Sequence, residues 1–319
     1  MEESSENGKR IPSKNVKDFK LINFVETFPK TCFGMLVNGV LPSHNSRAMS
    51  VWRATNVAMV ATGLALLVNS TKEALLLKDY TDATRQMAIL FLLINMSIKM
   101  SCLIKYKGTM NSIIVRIDED YRRANELLTD EEADIVKEYA MAGVILQNVW
   151  SYLAFLVGSV FPVSAIVMML YSNFTDPVIK RQMVFYGILP LWDDQKFDTP
   201  LYEVFFVYEI FLCYGSTFLY IGFDPLVPIA SLHMCGQMDL IKIRLSNLFK
   251  GKPILSPDET KAQLSGIIVD LQNIYEFSAD LCDTANYVYE AIFSFTPIMS
   301  TVAAFQTFSV RSYDLWFFY

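Results

Sequence analysis

The chain has 319 residues, of which 53% are apolar and only 19% charged, with a net charge of −6. A soluble domain usually carries about a quarter charged residues, and here the apolar excess is gathered into long blocks. The negative balance gives no basic footprint for nucleic acid. Two histidines, His44 and His233, are too few for a His-Glu-x-x-His helix, and no Gly-x-Ser-x-Gly elbow or Walker loop occurs, so no catalytic residue, metal or cofactor is expected.

From the amino terminus, Met1 to Lys20 is polar and mixed in charge, which is not a cleavable signal peptide. Residues 1–53 read as a cytoplasmic segment. A spanning helix needs roughly 20 mostly apolar residues, and five blocks qualify: about 54–69, 86–104, 141–165, 201–223 and 285–310, leaving 311–319 as a short carboxy-terminal end. An unpaired backbone amide in lipid costs several kcal/mol, so such blocks are expected to be helices. The third lies in an uncharged run from Tyr139 to Tyr171, longer than one bilayer crossing, and must tilt, bend at Pro162 or project. Pro225, Pro228 and Pro297 mark similar bends, and Lys250-Gly251-Lys252-Pro253 reads as a turn. Five scattered cysteines have no disulfide spacing. The expected fold is all-α: a polytopic transmembrane helical bundle with long cytoplasmic helix extensions.

Two polar stretches carry helical apolar stripes. Ile113, Ile114, Ile117, Tyr121, Ala124 and Leu128 form one; Leu264, Ile267, Ile268, Leu271, Ile274, Tyr275 and Leu281 form the other. Both are expected to pack outside the membrane. Orientation follows from Lys and Arg: with the amino terminus inside, nineteen fall on the inner side and seven on the outer, Lys99 lying within a span. Both sequons, Asn69-Ser70-Thr71 and Asn173-Phe174-Thr175, are read as outer loops, with Asn69 too near the bilayer for use and Asn173 as the expected glycosylation site.

Ionisable residues inside apolar blocks are costly and often functional. Lys99 is expected to reach the inner interface along its own stem, and Glu290 to sit at that interface. Glu209, among Phe205, Phe206 and Tyr208, is read either as part of a ligand pocket or polar network, or as a carboxylate paired with a neighbour. The outer halves of spans two, three and four present Met87, Phe91, Phe155, Phe161, Phe205, Phe206, Tyr208 and Leu212. Such a lining suits a small apolar ligand held by shape; ordinary helix packing is the alternative for each residue. The candidate ligand-binding set is Met87, Phe91, Phe155, Phe205, Tyr208, Glu209 and Leu212. His233 and Cys235 admit a metal pair or, more simply, a packed histidine.

The order of several loose motifs resembles the insect odorant receptor family. Ile188-Leu189-Pro190-Leu191-Trp192-Asp193-Asp194, leading through Asp198, Pro200 and Tyr202-Glu203, resembles its second outer loop. Leu232-His233-Met234-Cys235-Gly236-Gln237, continuing through Leu240, Ile243 and Leu248, is similar to the inner end of its fourth span. Leu271-Gln272-Asn273-Ile274-Tyr275-Glu276-Phe277 and Ser278 look like its long fifth helix, although Asp270 and Leu271 stand where histidines are common. The resemblance covers essentially the whole chain. It implies a seven-span, ligand-gated cation channel subunit in the plasma membrane, amino terminus inside, assembled with a shared co-receptor as a hetero-tetramer. Small volatile ligands would bind in the outer half between spans two, three, four and six, and the seventh spans would line the pore. Five spans are expected here, with the sixth and seventh absent, as in a truncated sequence. A gustatory-type receptor or a membrane transporter are the alternatives; a transporter would show internal repeats and broken helices.

Overall fold

The computed structural model describes residues 19–42, 46–175, 181–185, 193–249 and 256–293. Among the described residues every regular element is a helix: α1 (Phe24–Thr27), α2 (Pro29–Val37), α3 (Arg47–Leu76), α4 (Tyr80–Lys105), α5 (Lys107–Glu126), α6 (Asp130–Thr175), α7 (Leu201–Phe223), α8 (Leu226–Phe249) and α9 (Pro257–Phe293), with a 3-10 turn at Asp193–Gln195. The protein is an all-α helical bundle, as its apolar blocks require.

Helix starts follow local chemistry. Ser46 caps α3 by accepting from the Met49 amide at 3.2 Å. Thr129 with Glu132, and Ser256 with Glu259, form reciprocal capping boxes ahead of α6 and α9. In the second, the Ser256 hydrogen bonds hold the exposed Glu259 carboxyl below its ordinary range.

Four segments are long and apolar enough to cross a membrane: Arg47–Leu76, Gln86–Lys105, Asp130–Ser172 and Leu201–Leu248. The first four expected blocks fall inside them. Of the fifth, 285–310, the backbone to Phe293 is helical and the remainder lies outside the described residues, as do Pro297, the 250–253 turn and residues 311–319. Pro162 sits inside the continuous helix α6, and Pro225 falls in the break between α7 and α8.

The chain divides into two compact units. Unit 1 comprises Met1–Pro29, Ser112–Gln147 and Pro225–Leu281; unit 2 comprises Lys30–Asn111, Asn148–Asp224 and Cys282–Tyr319. In unit 1, Phe24, Phe28, Ile113, Ile117, Tyr121 and Ile229 are buried, so the α5 stripe faces a core. The α9 stripe divides: Ile267 and Leu281 are buried, with Phe277 beside them, while Leu264, Ile268, Leu271 and Tyr275 are exposed. Around that core runs a network of charges. Arg244 meets Glu132 at 2.7 Å and Asp270 at 2.5 Å, and Asp270 also takes Arg123 at 3.3 Å, joining α5, α6, α8 and α9. The Phe24 amide donates to Asp118, whose carboxyl is pushed up by burial against that bond; burial and the neighbouring Asp118 and Asp120 raise the Tyr121 phenol.

In unit 2, α3 packs on α4, and α7 packs on both. Glycines set two close approaches. A Cβ on Gly34 of α2 would strike the Phe218 carbonyl and the Gly222 amide, and one on Gly222 would lie 2.6 Å from the Met35 amide. A Cβ on Gly158 of α6 would strike the Thr217 hydroxyl.

Candidate functional site

All seven candidate ligand residues belong to unit 2, and the bundle brings some of them together. Tyr208 gives its hydroxyl to the Met59 carbonyl of α3 at 2.7 Å. Gly63 of α3 makes room beside it: a Cβ there would lie 2.8 Å from Leu212, 3.3 Å from the Tyr208 hydroxyl and 3.4 Å from Leu93. Tyr208 and Leu212 therefore meet α3 and α4 at one crossing. Met87, Phe91 and Phe205 are half-buried on α4 and α7. Phe155 is exposed, its ring 5.7 Å from that of Tyr214.

Glu209 faces another way. Its carboxylate is buried and accepts from the backbone amides of Val184 at 2.7 Å and Phe185 at 3.3 Å. It thereby fastens the Met183–Phe185 segment, all three residues buried, onto α7. Phe185 in turn lies 6.2 Å from the Phe161 ring, and Tyr202, stacked on Phe206, donates to the Gln182 carbonyl. Arg181 reaches the Phe197 carbonyl and Thr199. The start of α7 thus carries a pinned connecting segment, and the buried carboxylate is its main anchor. Of the motif resembling the family's second outer loop, residues 188–192 lie outside the described residues.

Unit 2 also holds an apolar cavity of about 130 Å³ between α2, α3, α4 and α7. Leu212 is the one candidate residue of the seven that lines it. Trp52, Asn56, Met59 and Val60 of α3 line it too, and α3 contributed nothing to the expected site. The available signal is Asn56 and Gly63, an amide and a minimal residue inside the first apolar block.

Two expectations are corrected here. Lys99 does not extend along the helix to an interface: it is 4% exposed, lies 2.5 Å from Asp224 and stands 3.8 Å from the centre of the Tyr220 ring. Asn69-Ser70-Thr71 is not in a loop but within α3, and Ser70 and Thr71 are buried. Asn173-Phe174-Thr175 likewise forms the end of α6 rather than a loop, and the side chains of Asn173 and Glu290 lie outside the described residues.

In unit 1, His233 is buried, with Nε2 2.9 Å from Asp120 and its ring between Tyr121 and Phe277, while Cys235 is exposed. That is a packed histidine. Among the described residues no group of three or more His, Cys, Asp or Glu could hold a metal. A cleft of about 420 Å³ beside His233 is lined by both signs of charge, Arg116 and Arg123 with Glu119 and Glu276.

Four helical segments long and apolar enough to cross a bilayer define the class: a multi-pass membrane protein. The 7tm odorant receptor family matches residues 79–317, most of the chain, and the protein belongs to that family. It is a receptor family rather than a family of enzymes. No curated protein matches the chain.

Proposed function

We propose that the chain is the ligand-sensing subunit of an odorant-gated cation channel, assembled with a co-receptor subunit as a hetero-tetramer. The observation that carries this reading is the family match across residues 79–317. In this proposal the ligand is a small, volatile, apolar molecule held among Met87, Phe91, Phe155, Phe205, Tyr208, Glu209 and Leu212. The crossing of Tyr208 and Leu212 with Gly63 and Leu93 supports it, because three side chains from two helices converge there on a glycine of a third. Glu209 contributes to that set by anchoring the Met183–Phe185 segment.

The membrane is the plasma membrane, with the amino terminus cytoplasmic, as the excess of Lys and Arg on that side supports. The charge network of Arg123, Glu132, Arg244 and Asp270 suits the aqueous side. Asn173 is then an outer glycosylation acceptor.

The test is current recorded from cells expressing the chain with the family's co-receptor during an odorant panel. An odorant-evoked cation current is expected from the pair and none from the chain alone. Leu212→Ala and Tyr208→Ala should shift the half-activating concentration of the best ligand by about 10- to 200-fold, the range that a small change in apolar fit produces. Odorant-evoked current from the chain without any partner would overturn the reading, as would ligand uptake without current.

A further inference from the structure

The 130 Å³ cavity of unit 2 shares Leu212 with the ligand set proposed above but none of its other six residues. It is built chiefly from α3 and α7, with α2 and Met96 of α4. Its walls include Trp52, Met59, Met96, Phe211, Leu212 and Phe218, with Gly215 also on the lining. Its polar side chains are engaged: the Tyr214 hydroxyl lies 3.5 Å from that of Ser159, and the others bond backbone. The Trp52 indole N–H and the Asn56 amide both donate to the Val37 carbonyl, at 2.6 and 3.3 Å, and the Asn38 amide donates to the Gly34 carbonyl at 3.0 Å. A guest therefore meets aromatic rings, thioethers and aliphatic carbon. A polar guest would lose its hydration for little return, whereas an apolar one would not.

Size narrows the class further. Drug-sized ligands occupy about 300–1,000 Å³, while an engineered apolar cavity of about 150 Å³ stays dry and takes benzene. Gly215 gives a second, independent observation. Glycine inside a helix is unfavourable relative to alanine, yet here a Cβ would meet nothing within 4 Å. No neighbouring backbone demands this glycine, unlike Gly34 and Gly222, and its effect is to leave the space open. Access is also provided: Trp52 and Phe211, on the lining, are both exposed on the helix surface.

We infer that the Trp52–Met96–Gly215 cavity is a second binding site, for an uncharged apolar molecule the size of one aromatic ring, entered from the lipid. The inference rests on the reading of these helices as membrane spans. It does not depend on which residues contact the odorant.

Trp52 is itself the reporter. The full chain carrying Trp150→Phe, Trp192→Phe and Trp316→Phe would be reconstituted in phosphatidylcholine vesicles and titrated with bromobenzene, a heavy-atom quencher. The expected result is a saturable quenching component superimposed on a linear one from lipid partitioning. Excess toluene should remove the saturable part alone, and Gly215→Leu, which fills the space, should abolish it. Where Gly215→Leu does not fold, Gly215→Ala should still weaken the saturable component several-fold. Quenching that is only linear, saturable quenching that toluene does not displace, or saturable quenching unchanged in a folded Gly215→Leu protein would each overturn the proposal. So would an acyl chain as the occupant: brominated-chain phosphatidylcholine would then quench Trp52 more in the Gly215 protein than in Gly215→Leu, with toluene without effect. Since none of these readouts is an odorant-evoked current, the channel reading can fail while this one stands, and the reverse.

Discussion

Lys99 and Asp224 are 125 residues apart, and neither makes sense alone. Each is a charge in an apolar setting, the side chains 5% and 19% exposed, and together with the Tyr220 ring they satisfy one another. A buried pair of this kind is weak support for stability in itself, because desolvation cancels much of the attraction; breaking one half is what costs. Lys99→Met or Asp224→Leu should therefore each destabilise the protein by about 3–5 kcal/mol, whereas the double variant should return close to the parent. Thermal unfolding midpoints of the detergent-solubilised variants check this, and a double variant as unstable as the sum of the singles would refute it. The sequence makes Lys99 conspicuous as a charge within an apolar run. It does not disclose a partner on another helix, and so a cation near a helix end was expected to reach outward along its own stem.

At the scale of the helix, Pro162 presents a problem and its solution. Proline has no amide hydrogen, so within α6 the carbonyl four residues earlier, that of Gly158, loses its helical donor. The Cys213 thiol of α7 lies 2.9 Å from that carbonyl and donates to it, a repair by a neighbouring helix of the kind expected in lipid. Gly158 makes the approach possible, since any larger residue would strike Thr217. Cys213→Val should thus cost about 1–3 kcal/mol, the usual penalty for orphaning a buried polar group. Cys213→Ser should cost less, and Pro162→Ala added to Cys213→Val should recover part of the loss by restoring the helical bond. Glycine positions give a matched contrast. Gly34→Ala and Gly222→Ala drive a methyl into facing backbone and should destabilise by about 1–3 kcal/mol, while Gly215→Ala should be neutral or stabilising by up to about 1 kcal/mol; thermal midpoints rank all three. The four described spans were legible because a continuous apolar run has few alternatives to helix, and the α5 stripe because Ile113, Ile117 and Tyr121 recur at helical spacing. The site was legible only in part. Tyr208 and Leu212 converge with Gly63 and Leu93, but periodicity on one helix says nothing about which other helix it will face. For that reason the pattern does not point to α3, and Glu209 gives no sign that its partners are backbone amides.

For the whole molecule, the unpaired surface of unit 1 matters most. Leu264, Ile268, Leu271 and Tyr275 recur every three or four residues along α9 and are all exposed, Tyr275 at 74%. The sequence read them as one stripe with Ile267 and Leu281, but the unit buries only the latter two, with Phe277. Burying one side of α9 leaves an apolar strip on the other, and a strip at coiled-coil spacing in water is costly unless another surface covers it. In the proposed channel that surface belongs to a neighbouring subunit. Ile268→Glu with Tyr275→Glu places two charges on the strip without touching the buried Ile267, Phe277 or the Arg244 network. The pair should leave helical content and thermal midpoint within about 0.5 kcal/mol of the parent, as surface substitutions usually do, yet abolish co-purification of the chain with its co-receptor from detergent and silence the odorant-evoked current. The control Ala262→Glu with Asn273→Glu, the same charges on exposed α9 positions outside the strip, should do neither. If the strip variant assembles as well as the control, the exposed residues of α9 are not the subunit contact, and assembly would have to be carried by the membrane-spanning helices of unit 2.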